Sequence, residues 1–288
     1  MQIAPYISDR KKKRKRRRAY LFTALGLIAF YGIFFGVQWL VLRSPIFRVD
    51  HVVVQGNSVV SSTDVIALAE ASALPGHDIF RGALTFNNML LWPASISQSK
   101  LQLIPQLASA NISKDFFSHT ITIIVTERAP FGIWCFSAAP SGGVTPTGAA
   151  SSSLAAAPAG TSCYWFDDTG TIFEKAGETQ GDLVYTVYDK AQSPRGLNQK
   201  VLSDEFLPNF ISIINVLRAS SLSVQAIELN DLSLEEVDVQ TANGPIIDFS
   251  LQFPADEYLP VIQKLMLQSN FSKLQYVDCR TENRLFYR

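Results

Sequence analysis

Residues 20–42 carry no charge, and the whole chain of 288 residues holds only three cysteines and three histidines. Each scarcity closes off a class of function. Cys135, Cys163 and Cys279 follow no zinc-ligand spacing, and an odd count leaves at least one thiol unpaired. His51, His77 and His119 are scattered and read as strand or surface residues rather than ligands or bases. The sequence has no nucleophile elbow, phosphate-binding glycine loop, zinc-binding helix or cysteine–histidine signature. Two of the adjacent acidic pairs are candidate carboxylate dyads, and neither makes one. Asp167-Asp168 reads as a polar turn before Gly170. Glu235-Glu236 falls in an expected strand, where neighbours point to opposite faces. The expectation is a non-enzymatic protein with no cofactor, no metal and no catalytic residues. A nucleic-acid-binding domain beyond residue 42 is not expected from its charge, and a nucleic-acid or nuclear-import role for the basic run 10–18 yields to the span that follows it directly. Of 25 Lys/Arg and 25 Asp/Glu, nine basic and one acidic residue lie in 1–42, leaving 16 basic and 24 acidic residues, a balance of −8. Phosphate binding needs the opposite sign.

What is present is first of all the uncharged stretch YLFTALGLIAFYGIFFGVQWLVL at 20–42. As a helix rising about 1.5 Å per residue it reaches about 34 Å, enough to cross a hydrocarbon core of about 30 Å. It is longer than the apolar core of a cleavable signal peptide, and Gln38-Trp39-Leu40 offers no small-residue cleavage pattern. An uncleaved signal anchor is the reading. Residues 10–18, RKKKRKRRR, form a basic run that belongs on the cytoplasmic side, against anionic lipid headgroups. Tyr20 and Trp39 sit near the two ends, where amphipathic rings prefer the interface. The expected topology has a basic tail (1–19) inside, a span (20–42), and everything from Arg43 on outside.

Beyond the span, Pro45 ends the helix. Residues 46–57 read as a β-branched strand closed by a Gly56-Asn57 turn. Ser61 to Asp64 supply candidate caps for a helix carrying Val65, Ile66, Leu68 and Ala69. Pro75-Gly76 stops it, Ile79-Phe80 is an apolar pair aimed at a core, and 84–94 reads as a looped insertion. A second helix is expected over 97–107, with Pro105 disturbing its last turn. Strands follow over 108–115 and 119–126, the latter with Ile121, Ile123 and Val125 on one face.

The second half reads as strands over 131–136, 163–166, 171–173 and 183–188, a helix over 204–220, strands over 223–229, 234–241 and 246–251, a helix over 256–269, and strands over 274–280 and 283–288. Pro208 falls in the first helix's first turn, where it is tolerated, and Asn243-Gly244 is a hairpin signal. Residues 137–162 are rich in Ala, Ser, Gly and Pro and read as a flexible hairpin tip. Cys135 and Cys163 lie one on each arm of that hairpin. They can bridge if the arms pair in register, within about 7 Å between Cα atoms; two buried free thiols are the other arrangement.

Several of these segments together resemble a known family. Val52-x-Val54-x-Gly56-Asn57, Ile79-Phe80, Leu101 with Pro105, Ala110, and the run from Ile121 through Glu127-Arg128-x-Pro130 look like a polypeptide-transport-associated (POTRA) domain of β-α-α-β-β order. With the basic tail and the span, they resemble the FtsQ/DivIB family of bacterial cell-division proteins. Tyr276-Val277-Asp278-x-Arg280 is similar to the family's near-terminal motif, with Cys279 in place of its usual aliphatic residue. The resemblance implies a POTRA domain at 46–128 and a mostly antiparallel β domain with two helices at 129–288. It implies a divisome assembly protein at the septum, whose partners are FtsB/FtsL-like single-span coiled-coil proteins and the septal synthase complex. Carried onto this chain, the partner strand adds beside Thr281, Glu282, Arg284, Leu285, Phe286 and Tyr287. Leu285 and Tyr287 then face one way and Phe286 the other; a strand packed inward as a terminal staple is the rival arrangement. Another POTRA-containing assembly factor, or a membrane-tethered cell-wall enzyme, are the rival functions.

Overall fold

A computed structural model describes residues 7–73, 88–136, 161–177 and 184–288. The expectations for Pro75-Gly76, Ile79-Phe80, residues 84–87 and residues 137–160 lie outside these. The uncharged stretch is helical, and the helix is longer than the stretch. Helix α1 runs Ile7–Arg43, because Lys and Arg are good helix formers and no breaker separates the basic run from the apolar one. Its Lys15–Val41 portion is long and apolar enough to cross a membrane, and none of the window that qualifies it is buried inside the protein. Ser44 is extended, as a residue before proline must be, and Pro45–Phe47 forms a short 3-10 turn.

The chain then divides into two compact units. One comprises Met1–Leu101 and Ser109–Thr126, the other Gln102–Ala108 and Glu127–Arg288. The division falls between Thr126 and Glu127, and 102–108 goes with the second unit. The cause is local: the Arg128 N–H donates to the Gln106 carbonyl at 2.7 Å, and Arg128 Nε to that of Pro105 at 3.1 Å.

In the first unit, strand β1 (His51–Gln55) leads to helix α2 (Ser62–Ala73), a short helix α3 (Gln98–Leu101), and strands β2 (Leu107–Asp115) and β3 (Thr120–Glu127). The sheet order is β1-β3-β2, with β1 parallel to β3 and His51 opposite Thr120. Ser61 Oγ accepts from the Thr63 N–H at the start of α2. Val65, Leu68 and Ala69 of α2 and Ile121, Ile123 and Val125 of β3 are buried. Gly56 must be glycine: its φ is +86°, and a Cβ there would lie 2.3 Å from the Val125 carbonyl oxygen. Two expectations are corrected. The strand expected over 46–57 begins only at His51, after the 3-10 turn. The helix expected over 97–107 stops at Leu101, since Pro105 interrupts it and Leu107 is already extended; Leu103, on the expected apolar stripe, is 75% exposed.

The second unit holds β4 (Gly132–Phe136), β5 (Ser162–Phe166), β6 (Ile172–Lys175), β7 (Thr186–Asp189), α4 (Leu207–Ser220), β8 (Val224–Leu229), β9 (Glu236–Thr241), β10 (Ile246–Ser250), α5 (Leu259–Met266), β11 (Tyr276–Thr281) and β12 (Arg284–Tyr287). The nine strands form one sheet in the order β12-β11-β10-β9-β8-β7-β4-β5-β6. Five neighbouring pairs are antiparallel and three (β4/β7, β7/β8, β10/β11) parallel. Apolar residues of one sheet face and the inner stripe of α4 (Leu207, Phe210, Ile213, Ile214, Leu217) make one core with Ile262 and Leu265 of α5. Trp134 packs edge-on to Phe210 and Phe166, and its Nε1–H donates to Asp189 Oδ2 at 3.0 Å. Cys279 is fully buried in this core, and burial pushes its thiol up to about 12. Cys135 and Cys163 are opposite one another in the β4/β5 ladder and joined by a disulfide, with Cα atoms 4.0 Å apart. Glu235 is not in a strand: it sits in the left-handed region (φ 56°) just before β9, so the expected alternation with Glu236 does not arise.

Candidate functional site

The last strand is an edge. β12 pairs antiparallel with β11, and among the described residues no strand lies beyond it. Arg288 directs both its N–H, to the Tyr276 carbonyl, and its carbonyl, to the Gln275 N–H, toward the β11 side. Backbone groups alternate along an antiparallel strand, so those of Leu285 and Tyr287 turn outward. Such a row is a template for another strand.

The six expected edge residues are not equivalent. Asn283 takes a left-handed conformation (φ 59°), and the two-residue turn Glu282-Asn283 splits the run into a hairpin. Thr281 is therefore on the inner strand β11, paired with Arg284, and its carbonyl accepts the Tyr258 hydroxyl at 2.7 Å. Glu282 is in the turn. Only Arg284, Leu285, Phe286 and Tyr287 occupy the edge. Leu285 packs partly against the core, and Tyr287, opposite buried Val277, shares its face. Phe286 lies opposite Asp278 on the other face. Phe286 and Tyr287 are each about half exposed, at 51% and 52%.

That other face carries a feature that single-strand reading missed. Register places Glu228 (β8), Asp238 (β9), Asp248 (β10) and Asp278 (β11) directly opposite one another in a row, and Phe286 continues it onto the edge. Like charges facing across strands repel, and the row is held by partners at its sides. Arg280 grips Asp278 through Nε and Nη2 at 2.9 and 2.8 Å and reaches Glu236 at 3.1 Å. Lys190 pairs with Glu228 at 2.8 Å, and Asn230 donates to Asp238 at 2.7 Å. The Arg280 contact holds Asp278 below the usual carboxylate range. Asp248 has no such grip. Burial first, then Asp238, Asp278 and Glu236, push it up to about 6 against the opposing pull of Arg280. The row floors a concavity of about 450 Å³ flanked by Ile246, Tyr276 and Arg280. Among the described residues no group of three or more His, Cys, Asp or Glu is arranged to hold a metal ion. The alternation in Glu236-x-Asp238, and the single acid inside the apolar strand at Asp248, were visible signals; only the register aligns them.

The raised carboxyl has a consequence for stability. Between about pH 4 and pH 6 the folded chain keeps a proton on Asp248 that an ordinary carboxyl in the unfolded chain has released. Stability from this group is therefore complete below about pH 4 and lost as pH rises through about 6. Asp248→Asn is expected to raise stability at pH 7.5 by about 1 kcal/mol, allowing for solvent screening at a partly exposed site, and to flatten the decline across that window. Urea unfolding of both proteins from pH 4 to pH 8 measures it.

The remaining acidic candidates are structural in their contacts. Asp167 is buried, ion-paired to Arg128, and its Oδ1 accepts from the N–H groups of Thr169 and Thr171 at 3.0 and 2.8 Å. Asp168 is exposed. His51 and His119 lie on β1 and at the β2–β3 turn in the first unit. No protein-family model matches this sequence, and no curated protein matches it.

Proposed function

We propose that this is a membrane-anchored, non-enzymatic assembly protein of the FtsQ/DivIB kind, which binds a division partner by strand addition. In this reading α1 spans the cell membrane with the basic run 10–18 on cytoplasmic anionic lipid, and the chain from Ile46 on lies outside, at the septum. The first unit is a POTRA domain: its order β-α-α-β-β and its β1-β3-β2 sheet support this. The observation that carries the functional reading is the free edge at β12, with outward backbone groups and two half-exposed aromatic rings. A strand added there gains main-chain hydrogen bonds for affinity, and the alternating faces of Leu285/Tyr287 and Phe286 supply specificity. The partners are FtsB/FtsL-like single-span coiled-coil proteins, through which the septal synthase complex is reached. A partner strand whose side chain over Phe286 is Lys or Arg also meets the acidic row.

The test is a membrane pull-down of full-length protein against a Phe286→Asp/Tyr287→Asp variant, with circular dichroism of both. The wild type is expected to bring down small single-span coiled-coil proteins, identified by mass spectrometry, and the folded variant to lose them. Equal capture by both would sink strand addition at β12.

A further inference from the structure

The first unit presents apolar side chains at an unusual place. Phe117, at the tip of the β2–β3 turn, is 99% exposed, and Phe116 beside it is 40% exposed. The Phe116 ring packs edge-on against Phe47 with centroids 5.9 Å apart, and Ile46 next to it is 61% exposed. Phe47 and Ile46 belong to the 3-10 turn that starts two residues after α1 ends at Arg43. Single exposed apolar residues need no explanation, whereas Ile46, Phe116 and Phe117, exposed around the half-buried Phe47 at the root of a membrane-length helix, do.

This group is held in place. Asp115 accepts the N–H groups of Phe117 and Ser118 and the Ser118 hydroxyl, and these bonds hold its carboxyl below the usual range. The Asp50 N–H donates to the His119 carbonyl at 2.9 Å, and His119 Nδ1 lies 3.1 Å from the Arg48 carbonyl. The tip is thereby tied to the segment leaving α1 and cannot swing away from it without breaking these bonds. A 3-10 turn rises about 2 Å per residue, so Pro45–Phe47 advances only about 6 Å. The headgroup layer on each side of a bilayer is about 5–8 Å deep. If α1 spans, the Ile46, Phe47, Phe116 and Phe117 cluster lies in that layer.

We infer that the β2–β3 tip is a second membrane contact, an aromatic finger that places Phe117 among lipid headgroups and acyl-chain ends. Aromatic rings favour this zone. The contact fixes the first unit's orientation to the bilayer, which a single helix free to rotate does not. The inference rests on α1 being a membrane span, and the experiment separates the two ideas.

Full-length protein is reconstituted in liposomes with single cysteines introduced by Phe117→Cys, Val59→Cys or Leu27→Cys, each labelled with a nitrobenzoxadiazole probe. Cys279, buried and with a raised thiol pKa, stays unlabelled. Val59 is 77% exposed beyond the far end of β1, and Leu27 lies within the apolar part of α1. The expected result is blue-shifted emission and strong loss of signal to shallow spin-labelled lipid at Phe117, deep quenching at Leu27, and neither effect at Val59. If Leu27 is quenched while Phe117 emits like Val59, the finger is overturned and the anchor stands. If Leu27 also emits as in water, the span itself is wrong and the finger falls with it.

Discussion

Asp167→Ala is expected to destabilise the second unit by about 4 kcal/mol and Asp167→Asn by about 2 kcal/mol, while Asp168→Asn changes it by less than about 0.5 kcal/mol. The two aspartates are adjacent in sequence and opposite in circumstance. Asp167 and its partner Arg128 are 5% and 14% exposed in their side chains, so removing the carboxylate leaves a guanidinium with little water to replace it. Alanine also strips the acceptor from the Thr169 and Thr171 N–H groups and from the Thr169 hydroxyl. Asparagine keeps an oxygen there and loses only the charge, hence the smaller effect. Unfolding followed by tryptophan fluorescence reads this unit through Trp134 and Trp165. A cycle with Arg128→Met should show that the double variant Arg128→Met/Asp167→Asn loses less than the two singles together, because neither charge is then left buried alone. The same variants test an enzymatic reading. A catalytic dyad requires Asp168→Asn to abolish function in a fully folded protein; a structural turn requires function to follow stability.

Breaking the Cys135–Cys163 bridge is the second large effect. Its residues are 28 apart in sequence. Closing a loop of that size restricts the unfolded chain by about 3–4 kcal/mol. Cys135→Ala/Cys163→Ala is expected to lose about that much, and reductant added to the wild type to reproduce most of it. Alanine is the better choice, since Cys135 is 2% exposed beside Ile133 and serine would bury a hydroxyl. Equal midpoints in urea for oxidised and reduced wild type would show that the bond adds nothing to the β4/β5 pairing. The bond also fits the proposed topology, because disulfides persist on the oxidising side of a membrane.

Much of this architecture was legible because it is written in local pattern. The uncharged run, the stripe of Phe210, Ile214 and Leu217, and the Asn243-Gly244 turn each act over a few residues, and α1, α4 and the β9/β10 hairpin follow them. Misreadings arose where a neighbour overrode the pattern. Leu101, Leu103, Ile104 and Leu107 have helical spacing, yet Pro105 and the start of β2 divide them. Thr281 reads as part of the edge because nothing in the local sequence sets Asn283 in the left-handed region that turns the chain there. Long-range register was out of reach altogether. That Asp189, fully buried, accepts from the Trp134 indole N–H depends on β4 and β7 lying side by side. That four acids form one row depends on the register of four strands; single strands show acids at these positions but not that they align.

The parallel pairing of β1 with β3 has a mechanical meaning. Any pull transmitted from α1 enters β1 at its His51 end, and any pull from the second unit enters β3 at its Glu127 end. In a parallel pair these are opposite ends, so tension slides one strand along the other and loads every rung from His51/Thr120 to Gln55/Ile124 at once. An antiparallel pair pulled from one end opens rung by rung. The unit is thus strung between its two attachments in the geometry that resists tearing.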